Sequence, residues 1–415
     1  MMIEITMIST GEEVLLGDIT DTNAAWLSRY LFEQGLTMTR RVTVGDHCER
    51  LAKEIESCSL NSDIVIVNGG LGPTSDDLTA VAAAMAANVG LEQSDHWVAE
   101  MKAKYEKLNR EMPAANLKQA MLPEGAELID NPVGTACGFA IKLNRSWIFF
   151  TPGVPSEFKI MVKDQILPRL QAKYPANQSL HCFRLFTYGL SESSISDAFQ
   201  HLTLPQGYEI GYRSSLPFIE VKLFAPEQGN TALTLLAEME TLLGDNIVGK
   251  QVGLIDNLAS MLIQHNKKLA IVEQSTGGFV VNWLNQQPAL SEYVVSASVQ
   301  NTVVDTKTDM DALVKAASDQ LQRLSLIPNS QIGLFSGALH DGAVTVGLIT
   351  DEEKWIQHVQ FKRVYSHDDQ RWVISTVLLD MLRRYLQGVA IFGHYESLNR
   401  LFENHSLKLM NLQKR

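Results

Sequence analysis

The segment Asn68-Gly-Gly-Leu-Gly-Pro-Thr-Ser-Asp-Asp-Leu-Thr79 sets three glycines beside two adjacent carboxylates, a combination able to grip a charged small molecule. Gly69, Gly70 and Gly72 permit a tight turn and let a ligand approach bare main chain. A helix expected from about Asp76 to Asn88 would add unpaired N–H groups and the positive end of its dipole, which favour an anion. The run matches neither the Walker pattern nor G-x-G-x-x-G, because no lysine follows. Asp76 and Asp77 also have a purely structural reading, as carboxylates in a first helical turn. With a phosphate on the glycines, bare acids would repel it. Either a divalent metal cation bridges the charges, or the acids accept hydrogen bonds from ligand hydroxyls or amines. The first option describes an enzyme and the second a binding module.

Three further loops carry polar or turn-forming residues. Gly11-Glu12-Glu13-Val-Leu-Leu-Gly17-Asp18-Ile-Thr-Asp21-Thr22-Asn23 follows a first strand and brings Glu12, Asp21 and Asn23 to the same sheet end as the glycine loop. Thr151-Pro-Gly-Val-Pro-Ser-Glu157 ends a strand and opens a helix, which places Pro152 and Gly153 beside the site, although the Pro-Gly-Val-Pro run suffices to shape a turn. Asn131-Pro132-Val133-Gly134-Thr135-Ala136 reads as a bend where backbone passes close to something, with Gly134 its closest point.

The elements that must position these loops alternate. Residues 3–9 have strand periodicity, Leu27, Tyr30, Leu31 and Phe32 have helical spacing, and Leu36 to Val44 is a second strand. A helix through Cys48, Leu51, Ile55 and Cys58 leads to Asp63–Asn68, whose continuous apolar centre predicts a strand covered on both faces. This order predicts a parallel sheet with right-handed crossovers. The polar stretch Lys173 to Gln178 sets a first boundary near 172. A βαββα module follows to about 250, and then a third block that ends in a long helix with Arg383 and Arg384 opposite its apolar stripe. The expected domains are therefore 1–172, 173–250 and 251–415.

The chain has 415 residues, 45% hydrophobic and 20% charged, the balance of a folded multidomain enzyme and not of a disordered chain. A net charge of −12 disfavours a nucleic-acid partner. No run is long enough to span a membrane and no signal-peptide flanks are present, which argues for a cytoplasmic protein. Four cysteines without C-x-x-C spacing make a zinc site or a disulfide framework unexpected.

STGEEVLLGDITDTNAAWL, VNGGLGPTSDDLTA, NPVGTACGF and FFTPGVPSEFKIM together resemble the N-terminal domain of the competence/damage-inducible CinA family, itself similar to the molybdopterin-binding fold of MoaB and MogA. The resemblance implies an α/β protein: a three-layer α/β/α molybdopterin-binding-like domain, a small α+β KH-like domain and a C-terminal α/β domain, in a homodimer. It implies, for some members, metal-dependent hydrolysis of ADP-ribose. Carried over by motif, Gly69, Gly70, Gly72, Thr74 and Ser75 would hold a pyrophosphate, with Asn23, Gly134, Pro152 and Gly153 beside the ligand. Asp76 or Asp77 would bind the cation or contact the ligand, and Glu12 or Asp21 would serve as ligand or base. The expected activity is thus a metal-dependent pyrophosphatase acting on ADP-ribose or a related nucleotide. A nucleotide- or pterin-binding module without turnover is the alternative, and an interaction or regulatory protein is a third class. The middle module lacks the Gly-x-x-Gly loop of RNA-binding KH folds and is rich in glutamate, so a packing role is expected, although Arg213-Ser214-Ser215 and Lys222 could reach toward a neighbouring domain's ligand.

CinA C-terminal domains resemble nicotinamide mononucleotide amidases with Glu-Ser-Cys-Thr-Gly-Gly after a strand. Here the run is Glu273-Gln274-Ser275-Thr276-Gly277-Gly278, with glutamine at the position of the family's nucleophilic serine. The activating Tyr-Ser-Asn-x-x-Lys aligns with Val299–Val304, and Thr-Gly-x-Ala-Gly-Pro with Phe335–His340. On these grounds amidase activity is expected to be lost and the last domain to be a scaffold, with nicotinamide mononucleotide deamidation the less favoured reading.

Overall fold

The computed structural model describes residues 3–174, 180–300 and 309–407. The chain divides into two compact units, Met1–Leu180 and His181–Arg415. The stretch 175–179, which includes the expected linker proline, lies outside the described residues.

In the first unit the strands are β1 (Ile5–Thr10), β2 (Met38–Val44), β3 (Ile64–Asn68), β4 (Leu91–Gln93), β5 (Met121–Pro123), β6 (Glu127–Ile129), β7 (Gly138–Leu143) and β8 (Ser146–Thr151). The helices are α1 (Glu12–Leu15), α2 (Thr22–Glu33), α3 (Cys48–Asn61), α4 (Thr79–Ala87), α5 (Asp95–Lys107), α6 (Pro155–Met161) and α7 (Leu167–Lys173). A six-stranded sheet runs β2-β1-β3-β8-β7-β6. Its first four strands are parallel, β7 runs against β8 and β6 against β7, so only β7 is reversed and the all-parallel expectation holds in part. The burial of β3 on both faces follows from its side-chain alternation. Val65 and Val67 pack in one core with Leu51, Ile55, Ala82 and Trp97. Ile64 and Ile66 pack in the other with Leu27, Leu31, Phe158 and Leu170. Two apolar cores on one sheet make a three-layer α/β/α unit.

The helix expected from Asp76 begins only at Thr79. Asp77 bends back to accept from the Thr74 N–H (2.9 Å) and hydroxyl (2.5 Å), while the Thr79 N–H donates to the Gly70 carbonyl (3.1 Å). This turn keeps both aspartates outside the helix, so they do not occupy its first turn.

Burial pushes the thiols of Cys58 and Cys137 up to about 12, with the Glu54 carboxyl adding to the effect at Cys58. At pH 8 only about one such thiol in ten thousand is ionised. Iodoacetamide at that pH should leave both unmodified until the unit unfolds; labelling of either in the native state, read by peptide mass spectrometry, would contradict the burial.

The second unit holds two sheets. The first is antiparallel, in the order β10-β11-β9-β12. It is built from β9 (His181–Tyr188), β10 (Glu209–Ser215), β11 (Phe218–Ala225) and β12 (Ile247–Lys250), packed with α8 (Glu192–Phe199) and α9 (Asn230–Leu243). Arg213 and Lys222 do not stand free here. With Arg184 they converge on the buried Glu220 carboxylate, at 2.7, 3.7 and 3.1 Å respectively.

The second sheet runs β14-β13-β15-β16-β17-β18. Its strands are β13 (Leu269–Glu273), β14 (Val294–Val299), β15 (Ile332–His340), β16 (Ala343–Ile349), β17 (Glu353–Phe361) and β18 (Leu398–Leu407). Its helices are α10 (Leu254–His265), α11 (Phe279–Asn285), α12 (Met310–Leu324) and α13 (His367–Gln387). Two expectations change in this part. The described chain ends in strand β18, not in a helix; β18 is a mostly exposed, polar edge strand and so lacks the apolar alternation that would mark it. Arg383 and Arg384 are buried, 1% and 3% exposed, because α13 is covered nearly all round; both pair with Asp380, and Arg384 also lies 3.9 Å from the Asp245 carboxylate. Among the described residues, no helix is long and apolar enough to cross a membrane.

Candidate functional site

In the first unit the carboxyl ends of β1, β3 and β8 open onto a cavity of about 510 Å3, where ligands of such sheets bind. Its floor is a chain of hydrogen bonds between loops. The Asn68 amide donates to the Pro152 carbonyl (2.7 Å) and the Thr151 hydroxyl (3.2 Å). The Asn23 amide donates to Asn68 Oδ1 (2.9 Å) and the Gly153 carbonyl (2.8 Å). Asn23 is held there because Asp21 caps α2, accepting from the Ala24 N–H (2.8 Å) and the Ser9 hydroxyl (2.5 Å). Gly69 donates to the Thr151 carbonyl (2.9 Å), and the Thr79 hydroxyl donates to the Gly69 carbonyl (2.9 Å).

Asp21, Asn23, Gly69, Gly70, Gly72, Asp76, Asp77, Pro152 and Gly153 all line this cavity. Four other residues picked from the sequence stand apart from its lining. The Glu12 carboxylate accepts from the Asp46 N–H (3.3 Å) while Asp46 accepts from the Glu12 N–H (3.0 Å). Thr74 is committed to Asp77, and Ser75 is exposed. Gly134 donates to Asn131 Oδ1 (3.0 Å) and accepts from Lys104 (2.8 Å). Asp21 is engaged as a cap, which leaves it poorly placed to act as a base. Glu13, Asp46 and Gln119 line the cavity without having been singled out. Gln119 sits in a short 3-10 helix, Ala114–Ala120, with no motif around it, so only the three-dimensional fold could reveal it. Among the described residues, no group of three or more His, Cys, Asp or Glu is placed to hold a metal ion.

Gly69 shows why the loop needs glycine. Its φ is +111°, and an added Cβ would lie 2.5 Å from the Thr10 hydroxyl and 2.8 Å from the Thr10 carbonyl oxygen. Gly69→Ala should therefore destabilise the first unit by about 1–3 kcal/mol. An unchanged urea midpoint for that unit would contradict the packing described.

In the second unit, Gln274–Gly278 joins β13 to α11. The Glu273 carboxylate, 1% exposed, organises this loop. It accepts from the Thr276 hydroxyl (2.6 Å) and from the N–H groups of Gly278 (3.1 Å), Val280 (3.0 Å) and Val281 (2.9 Å). It thus satisfies the open end of α11 from within the preceding strand. Thr276 also pairs with Ser336 (2.8 Å), and the Gln274 N–H donates to the Ser336 carbonyl (2.9 Å). Gly277 and Gly278 have φ of +60° and +90°, which turn the chain sharply into the helix. Position 274 carries no hydroxyl, and the Thr276 hydroxyl is occupied. The Ser275 hydroxyl is covered and has no hydrogen-bond partner among the described residues, as is also true of Nε of Arg371 on α13. Arg371 lies against the turn, its Nη2 being 3.3 Å from where a Cβ on Gly277 would sit. Asn301–Val304, part of the segment aligned with the family's activating groups, lie outside the described residues.

Residues 6–172 match the family described as Probable molybdopterin binding domain. A CinA-like protein of Shewanella sediminis (strain HAW-EB3) is 39% identical over 423 residues, covering 96% of this chain and 99% of that protein. The nicotinamide-nucleotide amidohydrolase PncC of Shewanella oneidensis is 38% identical over 423 residues, with the same 96% and 99% coverage. A solved structure of a protein CinA of unknown function from Thermoplasma acidophilum is 29% identical, with a TM-score of 0.38, over 40% of this chain and 98% of that one. The name of the S. oneidensis relative, similar along nearly the whole chain, overturns two expectations. One is that the protein is an ADP-ribose pyrophosphatase, with a non-hydrolysing nucleotide- or pterin-binding module as the alternative. The other is that amide hydrolysis is lost and the last domain is a scaffold. The second rested on altered residues in three segments, Gln274, Val299–Val304 and Phe335–His340, while the Glu273-anchored turn itself is intact. The chain belongs to the CinA-like protein family.

Proposed function

We propose that the protein hydrolyses the carboxamide of a nicotinamide nucleotide at the loop Glu273–Gly278, the chemistry for which its S. oneidensis relative is named. The observation that carries this reading is the Ser275 hydroxyl, covered and without a hydrogen-bond partner among the described residues. An unpaired buried hydroxyl costs about 1–3 kcal/mol, so a partner supplied by a bound substrate would be favourable at Ser275. In the proposed reaction Ser275 Oγ attacks the amide carbon, the serine's hydroxyl proton passes to the amide nitrogen, the C–N bond breaks, and the nitrogen leaves as ammonia. Water then cleaves the resulting ester and regenerates the serine. The Arg371 guanidinium beside Gly277 suits the nucleotide phosphate. Incubating the intact chain with nicotinamide mononucleotide should release ammonia at a rate proportional to protein; no release above the uncatalysed background would reject the reading.

A further inference from the structure

The second unit holds a cleft of about 580 Å3 that amide hydrolysis leaves unused. Leu190 after β9, Leu216 and Pro217 in the turn from β10 to β11, Phe218 and Tyr365 form its apolar wall. The cleft lies on the other side of α13 from the Glu273–Gly278 turn. Arg371 rests against that turn and Val373 lines the cleft, and residues two apart on a helix point about 200° from each other.

Four charged residues also line the cleft: Glu192, Glu396, Lys362 and Arg363. Both acids are already committed. Glu396 accepts from the Ser191 N–H (2.9 Å) at the amino end of α8, and Glu192 accepts from the Ser214 hydroxyl (2.8 Å). Burial opposes the charge on Glu396, yet hydrogen bonds from Ser191 and Ser194 hold its carboxyl below the usual range. The cations, by contrast, are not neutralised. Lys362 and Arg363 stand exposed in the loop between β17 and α13, and neither forms an ion pair among the described residues. The Arg363 guanidinium lies over the Tyr365 ring, 4.6 Å from its centre, a stacking that leaves its N–H edge open to an acceptor. A cation entering the cleft would find carboxylates already in use, whereas an anion would find two charged donors without an acceptor.

We propose that this cleft binds an aromatic acid, a flat apolar ring carrying a carboxylate or a phosphate. The ring packs against Leu216, Pro217 and Phe218, and the acid group accepts from Lys362 and Arg363. The site is separate from the turn that carries amide hydrolysis, and neither depends on the other.

Titration calorimetry on the intact chain tests this with 2-naphthoate, 2-naphthyl phosphate and the uncharged 2-naphthamide. At least one of the two acids should bind one to one and roughly tenfold more tightly than the amide, the effect of a hydrogen bond to a charged group. The preference should shrink as salt is raised, and the tighter acid identifies the head group. Lys362→Ala combined with Arg363→Ala should weaken that acid to the level of the amide. Both side chains are exposed, so the thermal midpoint should stay at the wild-type value. Binding of neither acid, equal binding of acid and amide, or acid binding indifferent to the double variant would overturn the proposal. Should the double variant fold poorly, the comparison of acid with amide on the wild-type chain decides alone.

Discussion

Asp380→Ala should cost the second unit about 3–5 kcal/mol of stability, because it leaves the buried Arg383 without its counter-charge and Arg384 with only the more distant Asp245 carboxylate, 3.9 Å away. The Asp380 carboxylate, 1% exposed, accepts from Arg383 Nε (2.8 Å), Arg384 Nε (2.7 Å) and the Tyr395 hydroxyl (2.9 Å). Both arginines also donate to the Asp245 carbonyl, at 2.7 and 2.9 Å, which ties α13 to the turn after α9. Burial, with Asp380 adding to it, holds the Tyr395 hydroxyl well above its ordinary range, so it serves as a donor throughout the physiological pH range. Asp380→Asn keeps one acceptor and the side-chain shape but loses the charge, and should fall between wild type and the alanine variant. Urea unfolding of the three proteins gives the comparison. An alanine variant with the wild-type midpoint would mean that the arginines find other partners and that the network is not needed for stability.

Ser275→Ala should lower ammonia release from nicotinamide mononucleotide by on the order of a thousandfold or more, since loss of a nucleophile removes the covalent route outright. Folding should survive, because the deleted hydroxyl makes no hydrogen bond among the described residues. Thr276→Ala is the contrasting case. It deletes the bonds to Glu273 and Ser336 that hold the turn, so stability should fall along with activity. An alanine at 275 with full activity would place the reacting group elsewhere in the chain.

The parts of this molecule that were legible in advance are those where one local rule decides. The apolar run Asp63–Asn68 could only be a doubly covered strand, and Ile64–Asn68 is one. An N-cap needs a short side-chain acceptor, and Asp21 before α2 and Ser191 before α8 each accept from an N–H three residues on. The glycine loop was visible for a similar reason, as Gly69 and Gly70, both at positive φ, leave a mark in the sequence that an ordinary loop does not. Features set by contacts distant in sequence were hidden. Asp76 and Asp77 read as helical until the bond from Thr79 to the Gly70 carbonyl fixed where α4 begins. Arg383 and Arg384 read as solvent-facing until Asp380 and the Asp245 carbonyl were seen to surround them. Gln119 reaches the cavity through the packing of the 3-10 helix Ala114–Ala120. At Gln274 the sequence shows that a hydroxyl is missing but not that the turn survives, because the turn depends on Glu273 and on main-chain bonds to β15.

Chromatographic identification of what nicotinamide mononucleotide becomes in the presence of the intact protein tests the central claim most directly. The account predicts nicotinic acid mononucleotide and ammonia in equal amounts, both abolished by Ser275→Ala. Unchanged substrate, or free nicotinamide released by cleavage of the glycosidic bond, would contradict it.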